Sequence, residues 1–380
     1  MSIHDDSAPH APHIGTLPSG PLGTLADVAG VTVGHCTLDQ DSLQTGVTVI
    51  RPHHGDPFVE KVPAAASVVN GFGKSIGLVQ VEELGTLETP IALTNTFGVA
   101  SVAQAQIRAA LRANPQIGRE WSTVNPLVFE CNDGYLNDIQ ALAVTGQHFN
   151  EAFDSASTQV ASGALGAGRG MSCFDLKGGI GNASRVVEVA GHSYTVGALV
   201  LANFGRLPML TIDGIALGRV LAERESEREH ERARAAQAAS AAAISDTAAT
   251  KPEQGSIIMI VATDAPLDAR QLKRLSLRAA AGLARTGSVY GHGSGDIALA
   301  FSTAYTVPHD ADFFTLPPLL ADARLDPLFR ACADSVEQAI VDALWSAVSV
   351  TGRNGHRRLS LRDSVPDLAQ LLTRLSTPAR

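Results

Sequence analysis

The chain has 380 residues, 45% of them apolar and 18% charged, which is enough to bury a substantial core and excludes global disorder. A formal charge of −9 argues against nucleic acid as a partner, since phosphate binding needs a basic face. No run reaches the roughly 18 apolar residues that a membrane-spanning helix needs. The length fits one large domain or two ordinary ones. Glycine is frequent, at 35 residues, and aromatics are scarce, which predicts tight turns and close backbone approaches.

Residues 1–20 are rich in His, Pro and Ser and lack the basic start and apolar core of a secretory signal. They are expected to be a flexible tail, a simpler reading of His4, His10 and His13 than a metal site. Cys36, Cys131, Cys173 and Cys332 are widely spaced and form no CxxC pair. They read as buried free thiols of a protein in a reducing cytoplasm, with no zinc site.

Partial alternation over residues 25–37 predicts a strand, and cleaner alternation over 45–51 predicts a second. The polar turn Asp39-Gln40-Asp41-Ser42 between them fits a hairpin. Residues 70–75 end in Gly73-Lys74-Ser75, like a phosphate loop. Val68 stands where that motif needs glycine, so a sharp turn is the better account. Residues 91–96 form a short strand, and 99–111 have helical spacing that stops at Asn114-Pro115. An apolar strand over 127–129 ends at Glu130, followed by a polar loop with Tyr135. A carboxylate at a strand end can meet a cation, and equally can be a solvated residue beside a turn.

Glycines crowd residues 161–181, where the Gly166-Ala167-Gly168-Arg169-Gly170 spacing fails the dinucleotide fingerprint. Two strands over 184–189 and 195–202 pair across Gly191-His192, the second ending at Asn203. Residues 215–243 favour a helix, with a charge run over 223–234 fading into an alanine-rich tether up to about 255. Behind the tether, Gly255-Ser256 opens the apolar run 257–262, a buried strand. By itself this is a loop ending in Gly-Ser and then a strand. An amphipathic helix is expected over 268–285. Gly291, Gly293 and Gly295 then alternate with His292, Ser294 and Asp296 before an apolar strand over 297–301; this spacing lets the backbone crowd a neighbour. Residues 326–350 hold a closing helix, and 367–375 a short one.

No GxSxG elbow is present, so an ordinary α/β-hydrolase is disfavoured. A Ser-His-Asp triad is open, but no spacing favours any one histidine. A serine that becomes a chain terminus is the other possibility. Attack of Ser256 Oγ on the Gly255 carbonyl would free an α-amine with an ordinary pKa of roughly 7.7–8.0, suited to general base work.

Gly-Ser-Ile-Ile with Ala-Thr-Asp-Ala-Pro, Gly-His-Gly-Ser-Gly-Asp-Ile, Glu-Cys-Asn-Asp-Gly-Tyr-Leu-Asn-Asp and Ala-Asn-Phe-Gly together resemble the L-aminopeptidase/D-esterase and β-peptidyl aminopeptidase family. The resemblance runs from about Gly23 past Thr306. It implies an α/β fold, a four-layer α/β/β/α sandwich. Self-cleavage between Gly255 and Ser256 would divide it into an α chain, 1–255, and a β chain, 256–380, forming one catalytic domain. It further implies no metal or cofactor, release of N-terminal residues from small peptides, amides and esters, and a homo-oligomer of αβ units such as a tetramer. By the same resemblance Ser256 is the nucleophile, Ser294 and Asp296 support it, Asn203 is the oxyanion amide, Glu130 receives the substrate ammonium, and Tyr135 lies in the binding loop. Asp296 stands where some members have Glu, a shorter reach. The competing reading is an acyltransferase of the ornithine acetyltransferase type, disfavoured because those cut before threonine.

Overall fold

The computed structural model describes residues 11–227 and 254–376. Its main strands are β1 (Thr32–Gln40), β2 (Leu43–Arg51), β3 (Glu60–Gly71), β4 (Ile91–Asn95), β5 (Leu127–Cys131), β6 (Gly179–Val189), β7 (His192–Asn203), β8 (Gln254–Thr263) and β9 (Gly293–Ser302). Its main helices are α1 (Val99–Ala113), α2 (Gly146–Asp154), α3 (Ala269–Ser276), α4 (Ala279–Arg285) and α5 (Asp326–Ser346). One sheet has the order β1–β2–β4–β5. The larger runs β3–β9–β8–β7–β6, extended at β3 by the two-residue strands Thr86–Leu87 and Val307–Pro308.

Three apolar clusters hold these parts together. Ile91, Leu93 and Phe129 of the smaller sheet meet Leu199, Leu201, Ile258, Ile260, Leu299 and Phe301 of the larger. The opposite face of the larger sheet, with Val200, Met259 and Ala298, packs on Leu272 of α3 and Val336, Ile340 and Leu344 of α5. The opposite face of the smaller, with Val49 and Val128, packs on Val102 of α1 and Phe149 of α2. A strand covered on both faces reads as an unbroken apolar run, which is why 257–262 shows no alternation. Burying each large apolar side chain is worth about 1.5–3 kcal/mol.

Both expected hairpins form. Gln40 pairs with Leu43, so Asp41-Ser42 is a two-residue turn with Asp41 at φ 49°. His192 pairs with Val189, so the turn is Ala190-Gly191, one residue before the expected Gly191-His192; both turn residues have positive φ, the backbone that matches strand twist in a tight turn. Three expectations are corrected. The strand expected from residue 25 starts at Thr32, because Leu25–Asp27 is a 3-10 turn capped by Thr24 and Asp27. The helix expected over 268–285 is broken after Ser276, whose Oγ donates back to the Lys273 carbonyl at 2.9 Å, a competitor to the helical ladder. Of the expected tail, residues 11–20 are docked. Arg185, fully buried, donates to the Ile14 carbonyl at 2.7 Å and to Gln338 Oε1 at 2.9 Å, and Ile14 is itself buried. A buried guanidinium needs acceptors, and the N-terminal segment supplies them. Residues 217–227 are helical. The rest of the charge run, the tether, His4 and His10 lie outside the described residues.

Glycine permits the closest helix–sheet contact. A Cβ on Gly181 of β6 would sit 1.8 Å from the Ala339 carbonyl oxygen of α5. Gly181→Ala must push helix and sheet apart, and urea denaturation is expected to show a loss of about 1–3 kcal/mol.

Candidate active site

Ser256 sits near the start of β8, between two strands of opposite sense. It pairs with Asn203 of antiparallel β7 and with Gly295 of parallel β9. Gly255 has φ +150°, and a Cβ there would fall 2.1 Å from the Asn203 carbonyl oxygen, so only glycine fits. Ser256 Oγ donates to the Gly255 carbonyl oxygen at 2.8 Å and accepts from Gly295 N–H at 3.1 Å. The hydroxyl is thus held against the carbonyl of the preceding residue.

The alternating glycines act as their spacing predicts, though against a loop as well as a strand. A Cβ on Gly295 would lie 2.9 Å from the Phe72 carbonyl oxygen and 3.0 Å from Gly73 Cα. β3 pairs Asn70 with Asp296 and Val68 with Ile297, a bulge that turns the chain into this contact. Residues 72–74 then reach Glu130 at the end of β5. Its Oε1 accepts from Lys74 N–H at 2.8 Å and its Oε2 from the Thr96 hydroxyl.

On the other side of Ser256, the Asn203 amide is held at both ends. Oδ1 accepts from Ser172 N–H at 2.9 Å, and Nδ2 donates to the Asn132 carbonyl at 3.0 Å. The loop carrying Ser172 is anchored by Lys177, fully buried, whose Nζ donates to the carbonyls of Gly168, Met171 and Gly178 at 2.8–2.9 Å. Burial pushes that ammonium well below the usual lysine range. Tyr135 stacks on His356, with ring centroids 4.7 Å apart, and carries the Arg358 guanidinium 3.9 Å from its own centroid.

A cleft of about 580 Å³ joins Ser256, Gly255, Asn203, Glu130 and Tyr135. Ser294 and Asp296 are not among its walls. They are fully buried, and Ser294 Oγ donates to Asp296 Oδ1 at 2.5 Å. Strand alternation gives them the face of Ala298 and Ala300, toward the helices, while Ser256 and Asn203 share the face of Ile258 and Leu201, toward the other sheet. Sequence reading missed Lys74, Thr96, Asn132, Ser172 and Arg358. Lys74 was marked only by the rejected glycine-rich loop, and Arg358 by nothing local.

The thiols offer no nucleophile. Cys131, Cys173 and Cys332 are buried as expected; Cys36 is half-buried, with Sγ 3.0 Å from Glu151 Oε2. Burial pushes Cys36 and Cys332 up to about 12, and burial plus the Glu130 and Asp296 carboxylates pushes Cys131 well up.

Asp133, beside Asn132, is buried, which raises its carboxyl to about 6 against hydrogen bonds from Thr45, Asn137 and Asn95. The folded chain therefore keeps a proton that the unfolded chain releases near pH 4. Stability from this group is greatest below that and declines as pH rises to about 6, by about 2–3 kcal/mol at 1.36 kcal/mol per unit. Asp133→Asn should remove the decline. Urea titrations are expected to favour the variant progressively over the wild type between pH 4 and 7.

A profile of peptidase family S58 matches residues 23–358. β-Peptidyl aminopeptidase BapA of Sphingosinicella microcystinivorans is 37% identical over 348 residues, covering 89% of this chain and 85% of its own. The PH0078 protein of Pyrococcus horikoshii OT3 superposes with TM-score 0.85 at 43% identity, covering 96% of this chain and 98% of its own. The L-aminopeptidase D-Ala-esterase/amidase of Ochrobactrum anthropi, described as a prototype serine aminopeptidase and a variant of the Ntn hydrolase fold, superposes with TM-score 0.82 at 32% identity over 96% and 98% of the two chains. With a mixed α/β domain like that of an Ntn hydrolase, this chain belongs to peptidase family S58 and is a serine aminopeptidase.

Proposed function

We propose that the chain cuts itself between Gly255 and Ser256, and that fragments 1–255 and 256–380 remain together as one catalytic domain that releases small N-terminal residues, L-, D- or β-, from peptides, amides and esters. The observation that carries this reading is the Ser256 hydroxyl 2.8 Å from the Gly255 carbonyl oxygen, at the wall of a cleft that also holds Glu130. Attack of Oγ on that carbonyl carbon exchanges the peptide for an ester. Water then releases the Gly255 carboxylate and leaves Ser256 with a free amine. That amine, with an ordinary pKa of roughly 7.7–8.0, takes the proton from Oγ as it attacks a substrate carbonyl. The departing amine takes the proton, and water hydrolyses the acyl-serine.

Register supports the remaining roles. Ser294 pairs with Gly255, beside the nitrogen that cleavage would free, so the Ser294–Asp296 pair supports the new amine from behind the strand. Asn203 Nδ2 has a second hydrogen for a developing oxyanion, and both its partners hold the amide in place beforehand. Glu130 receives the substrate ammonium through charge-assisted hydrogen bonds that an internal peptide segment cannot make. Tyr135 borders the same cleft. The two stacked sheets with helices on their outer faces are read as a four-layer α/β/β/α sandwich, and αβ units are expected to assemble into a homo-oligomer.

A denaturing gel with intact masses should resolve two fragments. Ser256→Ala should yield one uncut chain with hydrolysis of alanine or β-alanine anilide reduced by roughly 10⁴-fold or more. Full activity from an uncut 39.6 kDa chain would end the proposal. Acetyl transfer from acetyl-ornithine without anilide hydrolysis would favour the acyltransferase instead. Glu130→Gln should lower kcat/KM for aminoacyl anilides about 10- to 100-fold, about 1.5–3 kcal/mol.

A further inference from the structure

The cleft has a second charged end. Arg358 and Arg206 are among its walls, and Arg358 belongs to the flank of Ser172 and Asn203, whereas Glu130 belongs to that of Lys74. Arg206 Nη1 bonds Asp175 Oδ1 at 2.8 Å, while Arg358 Nη2 stands 4.0 Å from the same oxygen, too far for a hydrogen bond. One carboxylate thus sits between two guanidiniums, so that these three groups together carry one net positive charge. Arg358 is pre-positioned. Its Nε donates to Ser172 Oγ at 3.2 Å, its guanidinium carbon lies 3.9 Å from the Tyr135 ring centroid, and its side chain is 22% exposed.

The two ends flank the nucleophile from opposite neighbours. Glu130 is reached through Gly73, which touches Gly295 of β9. Arg358 is reached through Ser172, which holds Asn203 of β7. β7 and β9 lie on either side of β8, about 10 Å apart by two strand spacings. An extended dipeptide spans about 7 Å, and a β-residue adds a carbon.

Resting on the aminopeptidase reading above, we infer that Arg358, backed by Arg206, binds the C-terminal carboxylate of the departing residue. The preferred substrates are then free dipeptides, held by ammonium at Glu130 and by carboxylate at Arg358. A guanidinium suits this task because its planar fork matches a carboxylate in a two-bond geometry. Lys74 is the cleft's other cation, but it lies over the Phe72 ring on the Glu130 flank, with its nitrogen 4.1 Å from the centroid.

The test compares initial rates on β-alanyl-alanine and alanyl-alanine with those on their C-terminal amides. The wild type should favour free acids over amides in kcat/KM by about tenfold or more, mostly through KM. Arg358→Gln should cut that ratio about tenfold, and Arg358→Lys should retain part of it. Using the ratio cancels any general loss from disturbing Tyr135. The inference is overturned if the wild type treats acid and amide alike, if the ratio survives Arg358→Gln, or if Lys74→Met lowers it instead. In these cases hydrolysis of the amides would still stand for the aminopeptidase reading. Failure to hydrolyse either would sink both.

Discussion

Two points of backbone contact govern the molecule. Gly255 lies against the Asn203 carbonyl, and Gly295 lies against residues 72–73. Neither tolerates a Cβ, because each approach is closer than a methyl group allows. Between them β8 is clasped by β7 and β9, and Ser256 has little freedom. Its hydroxyl meets the Gly255 carbonyl because the strands on both sides fix where that carbonyl lies. The same contacts bring Glu130 and Asn203 to opposite flanks, since residues 72–74 bond the first and Ser172 the second.

This arrangement needs a rigid surround, and the fold supplies it in an uncommon way. Among the described residues, the basic side chains of Lys177 and Arg185 are buried with no carboxylate in direct contact: Lys177 on three carbonyls, and Arg185 on carbonyls, a serine and Gln338. A buried basic group left without acceptors would cost several kcal/mol, so these loops have little choice of conformation. Lys177 thereby stiffens the loop that orients Asn203, and Arg185 ties the N-terminal segment to β6 and α5. The strands supply the remaining rigidity, with both faces covered and apolar throughout.

Membership of peptidase family S58 and the serine aminopeptidase activity fit this site: a hydroxyl at a strand start, an amide on one flank and a carboxylate on the other. The proposed division of labour across the sheet follows from parity. Side chains toward the second sheet line the cleft, while Ser294 and Asp296 face the helices, with Ser294 in register with Gly255.

Much of this was legible beforehand. Local signals named the Gly255-Ser256 junction and its strand, both hairpins, the closing helix and the motifs holding Glu130, Asn203, Ser294 and Asp296. These depend on periodicity, turn chemistry and short motifs, which the chain carries in neighbouring residues. Other features were decided only in three dimensions. Docking of residues 11–20 depends on Arg185 and Gln338, more than 150 residues away. The break after Ser276 depends on a serine bonding its own helix and Ser67. Arg358 reaches the cleft only because the polypeptide returns past Ser172 and Tyr135. Which face a residue takes, and what lies across from it, is set by strand register and long-range packing, and no local window of residues encodes these.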